Sequence, residues 1–63
     1  MKYLIVDNTS NTGKPYIDEN GQNAANEEDA NRFDTVADAV EVAQSLTTGQ
    51  VDDWEQWASI VEI

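Results

Sequence analysis

The run from Thr35 to Gly49 constrains this chain most, because it carries one apolar face at helical spacing and so demands a surface to cover. Val36, Ala39, Val40, Ala43, Leu46 and Thr47 recur at the i, i+3, i+4, i+7 positions of an amphipathic helix. Asp38, Glu41, Gln44 and Ser45 fall largely on the opposite side. Thr35, with Asp38 three residues on, resembles a capping box: the hydroxyl accepts from an orphan N–H and the carboxylate faces the positive helix end. Thr47-Thr48-Gly49 supplies the stop, with Gly49 free to take a left-handed cap conformation. A single helix of this kind must pack on a sheet, since a chain of 63 residues has no second long helix to offer it.

The rest of the chain predicts that sheet. Lys2–Asp7 is β-branched and aromatic, and reads as a strand. Asn8 to Gly13 is a run of turn formers, and Lys14–Asp18 is a short second strand. Pro15 cannot donate to a ladder, so it belongs at an edge or at the strand's start. Trp54–Ile63 reads as a closing strand after a turn at Asp52-Asp53. Alternation would place Trp57, Ser59, Val61 and Ile63 on one face and Ala58, Ile60 and Glu62 on the other. Residues 18–31 are rich in asparagine, glycine and acid, which predicts a flexible acidic loop with one helical turn near Ala24 to Asp29. Asn31–Asp34 adds a short extended segment that pins Phe33 to the core. The expected fold is therefore α+β: one domain over residues 1–63, with a small three-stranded antiparallel sheet and one helix on one face. The element order is strand, strand, helix, strand.

Composition narrows the chemistry. Cysteine and histidine are both absent, which removes disulfides, thiolate chemistry, the usual metal ligand and the usual general base. Thirteen carboxylates invite a test for paired-acid catalysis, but that also needs a pocket that raises one carboxylate's pKa and encloses a substrate. No phosphate loop, Ser/His/Asp set or lysine nucleophile pattern is present. Asp18-Glu19-Asn20-Gly21-Gln22 partly matches a calcium loop. Counted from Asp18, however, Asn23 stands where glycine is needed and Asp29 where glutamate is needed. The expectation is a protein that is not an enzyme and has neither cofactor nor metal site. Met1–Val6 is too short an apolar run for a signal peptide, and no stretch approaches the ~20 apolar residues of a membrane span. This predicts a cytoplasmic protein.

Charge carries the functional reading. Three cations, Lys2, Lys14 and Arg32, leave a formal net charge of -10. Such a chain should repel nucleic acid and anionic membranes and attract a basic protein surface. Glu27, Glu28 and Asp29 form one cluster, Asp34, Asp38 and Glu41 a second, and Asp52, Asp53 and Glu55 a third. Duplex DNA presents about one charge per 1.7 Å of axis, and carboxylates spread over a helix face and its flanking loops are suited to imitate it. The plainer alternative is that the acid only solvates a small domain. Tyr16 and Trp54 are candidate apolar anchors, since tyrosine and tryptophan are enriched at binding hot spots, whereas Trp57 reads as a core anchor.

The run Phe33-Asp34-Thr35-Val36-Ala37-Asp38-Ala39-Val40-Glu41-Val42-Ala43, closed by Ile60-Val61-Glu62-Ile63, resembles the cadence of very small acidic phage-encoded host inhibitors. These include the RNA polymerase inhibitor of T7-like phages and DNA mimics that block uracil-DNA glycosylase, restriction enzymes or CRISPR nucleases. The resemblance spans residues 33–63 and implies a habit of disabling a host protein; it assigns no binding residue. The expectation is a phage or mobile-element inhibitor occupying the basic nucleic-acid-binding surface of a host protein. Partner contacts are expected from Glu27, Glu28, Asp29, Asp38, Glu41, Asp52, Asp53, Trp54, Glu55 and Tyr16. The protein itself would be a monomer or homodimer. The alternative is an assembly module that dimerises or docks through an uncovered sheet face.

Overall fold

The computed structural model describes residues 1–49 and 51–63. Strand β1 (Tyr3–Asp7) is followed by two short strands, β2 (Tyr16–Ile17) and β3 (Asn23–Ala24). A 3-10 turn (Glu27–Asp29), helix α1 (Val36–Leu46), a second 3-10 turn (Trp54–Gln56) and strand β4 (Ala58–Glu62) complete the order. The sheet is antiparallel with strand order β3-β2-β1-β4. It therefore has four strands, not the three expected. The added strand, β3, lies within the segment read as a loop.

That strand exists because Asp18 organises a hairpin. Its carboxylate accepts from the backbone N–H of Asn20 and of Gln22, each at 2.9 Å. The Gly21 N–H donates to the Asp18 carbonyl, and Gly21 adopts φ 76°. The Asp18 N–H also donates to the Gln22 carbonyl, which leaves Glu19, Asn20 and Gly21 as a three-residue turn of type I ending in a left-handed glycine, and the partial calcium-loop match is this turn.

The central pairing is between the chain's two outer strands. Tyr3 to Asp7 run opposite Glu62 to Ala58, one residue against one, so Ile5 faces Ile60 and Leu4 faces Val61. The face bearing Ile5, Ile17, Ala58 and Ile60 meets the helix, and Phe33 joins this core through an isolated bridge to Tyr3. Leu4, 1% exposed, alternates to the opposite face.

Helix α1 begins as expected: Thr35 is extended and its hydroxyl accepts from the Asp38 N–H at 3.1 Å. Its buried stripe is rotated from the expected one. Ala39 and Ala43 are fully buried and Val42 and Leu46 pack on the core, while Val36 is 46% exposed. Two alanines against Ala58 and Ile5 let the helix lie close to a narrow sheet that larger side chains would push away. The helix ends at Thr47, not Gly49. The Thr47 N–H donates to the Gln44 carbonyl and its hydroxyl to the Ala43 carbonyl. Gly49 does take a left-handed conformation (φ 74°), but beyond the helix end.

The closing strand starts at Ala58 rather than Trp54. Trp57 precedes it with φ -127° and ψ -16°, which breaks the alternation. Its ring therefore packs on the helix side with Ala58 and Ile60, not with Ser59 and Val61 as period-two spacing suggested. No helix among the described residues is long and apolar enough to cross a membrane.

Candidate functional site

Two surfaces hold the chemistry-bearing side chains: a broad acidic exterior and a cleft under the helix's C-terminal end. On the exterior, every carboxylate except Asp7 and Asp18 is exposed. Among the described residues the one ion pair joins Lys2 to Asp34. The hydrogen bond from Lys2, and then its charge, hold the Asp34 carboxyl below its ordinary range. Among the described residues the other exposed acids have no cation of the chain within ion-pair reach.

The anticipated contact residues are only partly gathered. Asp38 and Glu41 are exposed on α1, and the 3-10 turn carrying Trp54 and Glu55 packs directly on that helix. Asp52 and Asp53 lead into this turn and are exposed, so the second and third acidic clusters lie on elements that pack together. Glu27, Glu28 and Asp29 are also exposed, but their turn packs on β2, away from β4 in the strand order. Tyr16, opposite Val6 and Ala24, lies on the sheet face turned from the helix. Trp54 is half-buried against the core, and so anchors its turn while leaving an edge at the surface.

Spacing did not single out Asp7, yet it is the most engaged carboxylate of the described chain. It ends β1 and stands on the helix side of the sheet, opposite Ala58. Burial opposes its ionisation. Hydrogen bonds from the Thr9 hydroxyl, the Asn23 amide and backbone N–H groups outweigh that cost and hold its carboxyl below the ordinary value. Asp7 Oδ1 accepts from Thr9 N at 2.9 Å and Thr9 Oγ1 at 2.6 Å, and Oδ2 accepts from Asn23 Nδ2 at 3.1 Å. The same Asn23 amide reaches the Lys14 carbonyl at 2.9 Å, so one side chain ties β1, the β1–β2 loop and β3 together. The readable signal was Asp7-Asn8-Thr9, an Asx-turn sequence at a strand end.

Beside Asp7 opens a cleft of about 350 Å³. Ile17, Leu46, Val51 and Trp57 supply apolar wall, and Thr48 and Gly21 form part of its lining. The Trp57 indole N–H donates to the Thr47 hydroxyl at 2.8 Å, which sets the ring against the helix terminus. A Cβ built on Gly21 would stand 3.0 Å from a Leu46 methyl, so the hairpin tip closes on the helix without space to spare. Among the described residues no three acidic side chains are grouped to hold a metal ion. Comparison with protein families, curated proteins and solved structures finds no match for this chain.

Proposed function

We propose that this is a non-enzymatic acidic binding protein that occupies the basic, nucleic-acid-binding surface of a protein partner in the manner of a DNA mimic. The observation that carries the proposal is the exposed acid: a formal charge of -10, with a single internal ion pair among the described residues. Unpaired carboxylates on a folded scaffold keep their full field, which steers a cationic partner and sets its orientation. Both displaced carboxyl pKa values, at Asp7 and Asp34, move down, opposite to the direction a general acid at neutral pH requires. The surface around α1, comprising Asp38, Glu41, Asp52, Asp53, Trp54 and Glu55, is the primary contact. Trp54 supplies an apolar edge within it. Glu27–Asp29 and Tyr16 lie elsewhere on the molecule and contribute to attraction more than to contact. A phage or mobile-element origin, and action within the cytoplasm, fit this reading.

The test is capture with tagged protein from a bacterial lysate, followed by mass spectrometry and binding measurements across ionic strength. Nucleic-acid-binding proteins should be retained, with affinity falling as salt rises. Replacing Asp38, Asp52 and Glu55 by lysine should weaken binding about tenfold or more. Retention indifferent to salt would refute the proposal.

A second reading is favoured by one feature, the partly exposed apolar residues Val6, Tyr16 and Val61 on the sheet face away from the helix, where Leu4 is already buried within the chain. Val61 is 40% exposed there. Docking or dimerisation through this face predicts concentration-dependent sedimentation that Val61→Lys abolishes and charge reversal on α1 leaves intact.

A further inference from the structure

We infer that the cleft beside Asp7 is a receptor for one basic side chain, an aliphatic stem ending in a cationic N–H donor, presented by the protein partner. The inference rests on the proposed function and gives it a specific point of contact.

The cleft's parts are complementary to such a group along its length. Ile17, Leu46 and Val51 offer apolar wall to the stem, and Trp57 offers an aromatic surface to the stem or the cationic head. Asp7 is the one ionisable side chain in the lining among the described residues. A carboxylate has about four acceptor positions. Thr9 supplies two donors to Oδ1 and Asn23 one to Oδ2, and the Ser10 backbone N–H also favours the carboxylate, so at most one acceptor position is left for an incoming N–H. The existing donors lock the carboxylate's orientation, so little ordering is left to be done on binding. Helix α1 ends at the cleft with the negative end of its dipole, and its last turn carries no basic residue to neutralise it.

The chain's own cations do not satisfy Asp7. Lys2 is paired with Asp34, and among the described residues neither Lys14 nor Arg32 forms an ion pair. A neutral ligand gains no Coulomb attraction from the ionised Asp7, whereas a cation does. An anion would meet Asp7, the helix terminus and the net charge together. A volume of about 350 Å³ is ample for one long side chain and lies at the small end of the range for ligand pockets.

The experiment is a 15N NMR titration of the intact protein with N-acetyl-arginine methylamide, its lysine counterpart and the neutral citrulline counterpart. Saturable shifts confined to Thr9, Gly21 and the Trp57 indole N–H are expected with the two cationic probes and not with citrulline. The ratio of their affinities tells guanidinium from ammonium. Asp7→Asn should weaken the cationic probes about tenfold or more, the loss of a charge-assisted hydrogen bond. Should that variant unfold, Thr48→Arg, at an exposed position on the cleft's lining, places a tethered cation at the mouth and should block the probes in a folded protein. Equal shifts from citrulline, or non-saturating shifts spread over the exposed acids, would overturn the inference. If a captured basic partner binds Thr48→Arg as tightly as wild type yet is lost on charge reversal around α1, the cleft assignment fails and the proposed function stands. If the cationic probes fill the cleft but no basic protein is retained from lysate, the cleft chemistry stands and the proposed function fails.

Discussion

At the scale of single residues, Asp7 does the most joining, linking the end of β1 to Thr9 and to Asn23 of β3. Its folded-state pKa lies below the ordinary 3.8, so its contribution to stability is complete above that value and is lost as pH falls through the folded one. Asp7→Asn should therefore be less stable by about 1 kcal/mol at neutral pH, since solvent reaches part of this carboxylate and weakens its bonds. The gap to wild type should close below pH 3.8. Urea unfolding followed by tryptophan fluorescence at several pH values measures both. Gly21 makes a second residue-scale prediction. Its φ of 76° and the 3.0 Å approach of Leu46 act together against any side chain, so Gly21→Ala should cost about 1–3 kcal/mol. The same unfolding experiment reads it.

At the scale of elements, helix α1 owes its start to one hydroxyl and its seat to two alanines. Thr35→Ala removes the acceptor of the Asp38 N–H and should cost about 1 kcal/mol. Ala43→Leu adds bulk where no exposed area remains and should cost about 1–3 kcal/mol through strain between helix and sheet. Thermal unfolding by circular dichroism checks each, and a stabilised Ala43→Leu would show that the interface has unfilled space. The helix was legible because its period repeats over eleven residues, and Thr35 marks its start. Its rotation was not, because Val36 and Val42 are equally apolar and only the sheet below decides which is covered. Strand β3 has two residues, too few to show a period. Its signal was the turn chemistry of Asp18, Asn20 and Gly21, which composition alone made look like loop. The Trp54–Gln56 turn was hidden for the opposite reason: an apolar, aromatic run there imitates a strand.

At the scale of the molecule, the charge that favours a basic partner works against the fold itself. Exposed carboxylates repel one another over distances longer than the protein is wide unless salt screens them. Raising ionic strength from a few millimolar to about 0.5 M should therefore raise the melting temperature by about 4–8 °C, equivalent to roughly 1 kcal/mol in a domain this small. The same change should weaken partner binding, so stability and affinity move in opposite directions with salt. Calorimetry alongside the binding measurements tests that opposition. A melting temperature indifferent to salt would mean that the acids lie too far apart to repel.

The sequence by itself determined the acidic field, the absence of histidine and cysteine chemistry, the helix with its Thr35 cap, and an α+β class with antiparallel strands. These depend on composition or on residues within a few positions of one another, where period and side-chain chemistry act directly. Of the anticipated contacts, the acids of α1 and of the turn before β4 could be named from their clustering. Whether they adjoin was not readable. Only the tertiary structure decided that β1 sits between β2 and β4, that Trp54 and Tyr16 lie on different sides of the sheet, and that Asp7 bonds Asn23 and lines one cleft with Trp57. Those relations join residues as far apart as Asp7 and Ala58. They are selected by which faces can be buried together, a property of the whole packed chain that no local pattern encodes.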